Sequence, residues 1–255
     1  MPVLRTDVAD GVAVLTLDRP ERRNALNGEL TGALRTAMAA ADADEAVSVI
    51  VLTGADPAFC AGVDLKELSS GGRQFVPGTA AEPGRPWART VKPVIGAVNG
   101  AAITGGFELA LQCDFLVASE RAVFADTHAR VGILPGWGLT VLLPQAVGVR
   151  RAKELSLTGN FLSADDALAW GLVNHVVPHA DLLPFARKLA ADITGYDQRP
   201  VRAMLEEYER TTSTTVAEGL RIEAQVAADW NARPEAVGDV ANRRDAIIER
   251  GRRQV

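Results

Sequence analysis

Asn99–Asp114 reads NGAAITGGFELALQCD and follows directly on the apolar run Val94-Ile95-Gly96-Ala97-Val98. The order is strand, tight glycine turn at Gly105-Gly106, then a helix that opens with Phe107-Glu108-Leu109. Glycines let backbone approach closely, and the first turn of a helix leaves N–H groups without partners. Such groups attract negative charge. Glu108 lies three residues after Gly105, which on a helix puts its carboxylate on the face of the Gly105 N–H. A donor for a developing oxyanion and a base would then share one small volume, as a site that polarises a carbonyl requires. The same pattern also serves plain packing, with the Glu as a partner of the helix dipole.

Outward from this stretch, Val12–Leu17 (VAVLTL) reads as a strand. Asn27 is placed to cap a helix carrying Leu26, Leu30, Leu34 and Met38. Val47–Leu52 (VSVIVL) is a nearly continuous apolar run, as expected of a parallel strand covered on both faces. Strand, helix, strand makes a βαβ-like unit. Thr53–Leu68 is a small-residue loop running into a short helix. Residues 69–90 are rich in Gly and Pro and lack periodicity, as in a lid or an insertion without a role.

Beyond the central stretch, Asp114–Ser119 and Val123–Ala125 read as strands, Asp126–Gly138 as irregular, and Leu139–Val147 as a helix. Ser163 is placed to cap Ala164–Trp170, which Gly171 stops; Val173–Val177 is extended. From Leu182 the pattern is helical, with segments at Pro200–Arg210, Val216–Trp230 and Glu235–Arg250. Apolar strands stop near residue 195, which divides the chain into an α/β core (1–195) and a helical region (196–255).

Composition narrows the chemistry. The 255 residues are 47% hydrophobic, enough for a large core, and the net charge of −5 gives no basic field for nucleic acid. Cys60 and Cys113 form no zinc or disulfide pattern. The start, MPVLRTDVADG, lacks an apolar signal core and no run is long enough to span a membrane, so a cytoplasmic protein is expected. Gly136-Trp137-Gly138 lacks the third glycine of a dinucleotide fingerprint because position 141 is Val. Gly100–Gly105 is followed by Gly106-Phe107 rather than Lys-Ser/Thr, so it is no P-loop. His128, His175 and His179 lack metal-ligand spacing; no metal is expected.

Four blocks in order, Arg23-Asn24-Ala25-Leu26-Asn27, Phe59–Leu65 (FCAGVDL), Gly105–Ala110 (GGFELA) with Cys113-Asp114, and Gly132–Gly136 (GILPG), resemble the enoyl-CoA hydratase/isomerase (crotonase) superfamily. The resemblance covers about residues 3–195. It implies stacked ββα turns with a C-terminal helical trimerisation region, a homotrimer or homohexamer, and an acyl-CoA or enoyl-CoA substrate that itself carries the coenzyme A, with no separate cofactor. It maps the oxyanion-hole N–H groups onto Val63 and Gly105. It gives Arg23, Ala25, Ala61, Asp64 and Leu65 to CoA binding. The family's hydratases use two carboxylates. Glu108 matches the first, but the second position, four residues before Gly132, holds His128.

Hydration needs a base for water at Cβ and an acid for Cα. Glu108 fits the base. His128, with an ordinary pKa of about 6.5, fits the acid. The departure leaves other readings open: a structural or ligand-contacting histidine, another crotonase-fold reaction such as double-bond isomerisation or thioester hydrolysis, or an acyl-CoA-binding protein without turnover.

Overall fold

The structure, a computed structural model, describes residues 2–69, 84–233, 244 and 248–252. The chain divides into two compact units, Met1–Gln198 and Arg199–Val255.

The first unit is built on a six-stranded sheet of order β1-β2-β3-β5-β7-β10. Its strands are β1 (Leu4–Ala9), β2 (Val12–Leu17), β3 (Val49–Gly54), β5 (Val94–Val98), β7 (Phe115–Ser119) and β10 (His175–Val177). Only β1 runs antiparallel to its neighbour. A second sheet has the order β4-β6-β8-β9, from β4 (Ala58–Cys60), β6 (Ala101–Ile103), β8 (Val123–Ala125) and β9 (Leu162–Ser163). Each turn of the chain places a strand in the large sheet and then a short strand in the small one. A helix follows: α2 (Leu65–Ser69) after β3 and β4, α3 (Gly105–Leu111) after β5 and β6, α4 (His128–Val131) after β7 and β8. This is the ββα stacking that the resemblance implies.

The large sheet is apolar on both faces, which explains the unbroken runs in β3 and β5. Val12, Val14, Val49, Val51, Ile95 and Ala97 pack under Leu182, Ala186 and Ala190 of α8 (Leu182–Thr194). Their alternates Ala13, Leu15, Leu17, Ile50 and Leu52 join the main core with Leu30, Leu34 and Met38 of α1 (Gly28–Ala43). Alternation with period two on a strand and four on a helix produces both faces. The helix punctuation is as expected: Asn27 accepts from Leu30 N at 2.8 Å, Ser163 accepts from Asp166 N at 3.1 Å, and Gly171 ends α7 (Ala164–Trp170) in the left-handed region.

Three local expectations are corrected. The central stretch is not strand, glycine turn, helix: β6 intervenes, and the turn residue is Thr104, at φ 53°, while Gly105 and Gly106 already belong to α3. Gly106 is needed for closeness rather than for a turn, since a Cβ there would stand 2.0 Å from Cys60 O. The irregular stretch Asp126–Gly138 contains α4. A helix absent from the sequence reading, α6 (Val149–Thr158), follows α5 (Leu139–Val147).

The second unit contributes α10 (Val216–Asn231) and all but the first residue of α9 (Gln198–Thr212). Residues 70–83 of the Gly/Pro-rich stretch and most of the expected helix Glu235–Arg250 lie outside the described residues.

Candidate active site

Two extended segments meet in an isolated parallel bridge between Leu26 and Val63. Leu26 N donates to Gly62 O at 2.7 Å and Asp64 N to Leu26 O at 2.8 Å. Successive N–H groups on extended backbone point to opposite sides, so the Val63 N–H faces away from Leu26. Among the described residues neither it nor the Gly105 N–H has an acceptor. The two border one space: a Cβ on Gly105 would lie 3.8 Å from Val63 Cγ2 and 3.8 Å from Gly62 Cα. Gly62, at φ +88°, has no room for a side chain either, with Ile103 O 2.7 Å from the place its Cβ would take.

The entry to α3 is held in a conformation rare for a β-branched residue, which only surrounding contacts can sustain. Thr104 N donates to Ala125 O at 2.8 Å, and the Thr104 and Thr127 hydroxyls bond to each other.

Glu108 follows one turn into α3 and is 2% exposed. Its Oε1 accepts from Gly136 N at 3.0 Å and Trp137 N at 2.7 Å. Two backbone donors fix one carboxylate oxygen and leave Oε2 for chemistry. Oε2 lies 3.6 Å from His128 Nε2. His128, 4% exposed, begins α4. Its Nδ1 stands 2.6 Å from Asp126 Oδ1, which also accepts the His128 backbone N–H at 3.1 Å.

Burial alone would pull the His128 pKa down; the hydrogen bond to Asp126 and the charges of Glu108 and Asp126 outweigh it and raise it from 6.5 to about 9. Burial likewise opposes ionisation of Asp126, and the bonds and charge of His128, with nearby Ser156, overcome it, leaving its pKa below the ordinary carboxylate value. The site therefore holds an imidazolium between two carboxylates at neutral pH.

The segment 23–25 lies against 61–64. Arg23 and Asn24 are both left-handed, at φ 50° and 57°. Ala61 N donates to Arg23 O at 3.0 Å. Asn24, fully buried, accepts from Arg19 N at 2.9 Å and donates to Ala55 O and Ala58 O at 2.7 Å each. Arg19 also donates to Ala25 O, and its guanidinium pairs with Asp64 at 3.2 Å. Burial disfavours the Asp64 charge, but Arg19 outweighs it and lowers its pKa. The Arg23 side chain and Leu65, the latter at the start of α2, are exposed.

The structure thus brings Val63 to Gly105, Glu108 to His128, and Arg23 and Ala25 to Ala61 and Asp64. Arg19 and the Gly136 backbone N–H were not among the expected site residues. Arg19 sits 45 residues from its partner Asp64, with no local sequence signal. Trp137 contributes its backbone N–H to the site. Among the described residues no group of three or more His, Cys, Asp and Glu side chains is arranged to hold a metal ion.

The enoyl-CoA hydratase/isomerase family model matches residues 7–239. A protein of Arabidopsis thaliana named probable enoyl-CoA hydratase 1, peroxisomal, is 45% identical over 188 residues, 74% of this chain and 71% of its own. The crotonyl-CoA hydratase of Syntrophomonas wolfei is 37% identical over 217 residues, 84% of each chain. The crystal structure of enoyl-CoA hydratase from Mycobacterium smegmatis superposes with a TM-score of 0.76 at 51% identity, covering 89% of this chain and 96% of that one.

Proposed function

The chain belongs to the enoyl-CoA hydratase/isomerase family, and we propose that within it this protein adds water to the double bond of a 2-enoyl-CoA to give the 3-hydroxyacyl-CoA. One observation carries the reading: a fixed carboxylate and an imidazolium face each other at 3.6 Å on the helices that begin at Gly105 and His128. Glu108 lies one turn after Gly105, whose N–H, like that of Val63, has no acceptor among the described residues.

Glu108 Oε2 takes a proton from water as the oxygen bonds to Cβ. The π electrons move to the Cα side, and the negative charge reaches the thioester oxygen, where the Val63 and Gly105 N–H groups receive it. His128 Nε2–H then protonates Cα, and the C=O reforms. The balance leaves Glu108 protonated and His128 neutral. The proton then returns from Glu108 to His128, which holds a proton up to about pH 9, and the site resets.

Backbone of Arg23, Ala25, Ala61, Asp64 and Leu65 would hold the CoA adenine and phosphates. Asp64 takes part through its main chain, since Arg19 occupies its carboxylate. No cofactor beyond the CoA of the substrate is required. A homotrimer or homohexamer, in the cytoplasm, is part of the same proposal. Met204, Tyr208 and Leu220 are exposed apolar or aromatic residues of the second unit that another copy would cover. Light scattering giving a monomer would refute the assembly, and cell fractionation tests the compartment.

The function is tested with crotonyl-CoA. Absorbance of the conjugated thioester should fall and the product should gain the mass of water. Glu108→Gln, which keeps shape but cannot take the proton, should lower kcat by about 10²–10⁴-fold with binding retained. Free CoA, or a product of unchanged mass, would overturn the reading.

A further inference from the structure

We infer that Asp126 is a positioning residue that decides which nitrogen of the His128 ring carries the transferable proton, so that Nε2–H is presented toward Glu108 and the reacting carbon. The inference rests on the hydratase reading for its catalytic meaning, but its geometry stands apart from it.

Asp126 is 1% exposed and precedes α4 by two residues. Its Oδ1 accepts twice from His128, from the backbone N–H at 3.1 Å and from the ring at 2.6 Å. An ionised carboxylate only accepts, so Nδ1 must carry a hydrogen. One oxygen holding both main chain and ring also locks the ring orientation. Ser156 of α6 also favours the ionised form of Asp126.

With Nδ1–H spent on Asp126, a neutral ring would turn a bare Nε2 lone pair toward Glu108 Oε2. A proton on Nε2 replaces that repulsion with attraction and reduces the buried charge from two negatives to one. Glu108 from α3 and Asp126 are the charged groups that act on His128. Arg130, the other charged residue of α4, is turned onto Thr158 O at 3.1 Å.

A residue that merely caps α4 would also accept the His128 backbone N–H, yet it would leave the ring's titration unchanged. The discriminating experiment is therefore a titration of the full-length protein. Histidine labelled with ¹³C at Cε1, in an otherwise deuterated chain, gives three resonances, since there are three histidines. Loss of one in His128→Gln assigns it. In wild type the His128 midpoint should lie near 9.

Asp126→Asn keeps the shape and an accepting oxygen but not the charge. It should lower that midpoint by about one pH unit or more. Asp126→Ser is the second neutral variant should the amide not fold, and Asp126→Glu should keep the midpoint above that of both. In turnover, Asp126→Asn should lose about threefold or more in kcat at pH 8.5, little at pH 6.5, with KM for crotonyl-CoA nearly constant. An unchanged His128 midpoint in both neutral variants would overturn the inference. Absent turnover in wild type, with the midpoint shift intact, would overturn the hydratase reading alone.

Discussion

The buried imidazolium should make stability itself depend on alkaline pH. In the unfolded chain His128 titrates near its ordinary 6.5, whereas in the fold it keeps its proton to about 9. A raised pKa stabilises the fold fully below 6.5, and the contribution is lost as pH climbs through 9. The difference amounts to about 3 kcal/mol between pH 6 and pH 9.5. Asp126, whose pKa is lowered, acts in the opposite direction and only on acidification below its ordinary 3.8, outside this window.

The reference is the double variant Asp126→Asn/His128→Gln, which removes the pair and keeps Glu108 on its two backbone donors. Burial raises the pKa of both Cys60 and Cys113, Cys60 to about 12, so thiol ionisation also costs stability above pH 8.5, but equally in both proteins. The assay is urea denaturation at fixed protein concentration, every half pH unit from 6 to 9.5. The gap between wild type and double variant should shrink by about 3 kcal/mol across the series, or roughly 6–12 °C in Tm for a chain of this size. Parallel pH curves would refute the reasoning.

Gly106→Ala would place a Cβ 2.0 Å from Cys60 O, so α3 must shift and carry Gly105 and Glu108 with it. We expect about 1–3 kcal/mol of lost stability by thermal melting, together with a fall in kcat; an unchanged enzyme would mean α3 moves freely. Asn24→Ala strips the side-chain donor from Ala55 O and Ala58 O and puts alanine at φ 57°. It should cost about 2–4 kcal/mol and raise KM for CoA thioesters, and an unaltered KM would detach this turn from CoA binding. Acetyl-CoA at a hundredfold excess over its Kd should stabilise the fold by about 2.7 kcal/mol, while NAD and ATP leave Tm unmoved; a flat response to acetyl-CoA would count against the site.

What was legible in the sequence was mostly local chemistry. Asn27 and Ser163 bond to N–H groups three residues on, and Glu108 lies one helical turn from Gly105; such relations are set by spacing alone. What stayed hidden depends on distant partners. β6 is three residues long and exists because Ala101–Ile103 finds β4 on one side and β8 on the other. β1, LRTDVA, has a mostly exposed pattern and no apolar alternation; its strand ladder comes from β2. α6 buries only Ala152 and Leu155, too sparse a stripe to stand out. His128 was legible as a departure, and its partner Asp126 sits only two residues away. The pairing became visible only with the ring orientation, because an Asp two residues before a His also fits an ordinary helix start. Arg19 needed the fold to reach Asp64.

The bridge at Leu26–Val63 makes one rigid lever of two tasks. Asp64 N donates to Leu26 O and Leu26 N to Gly62 O, which clamps Val63 between them; Asp64 would meet the nucleotide end of the substrate and the Val63 N–H its thioester. Contacts made far from the reacting carbons would thereby tension the donor proposed to stabilise the transition state. A shortened thioester carrying only the pantetheine arm would leave that lever slack, and its deficit should show in kcat as well as in KM.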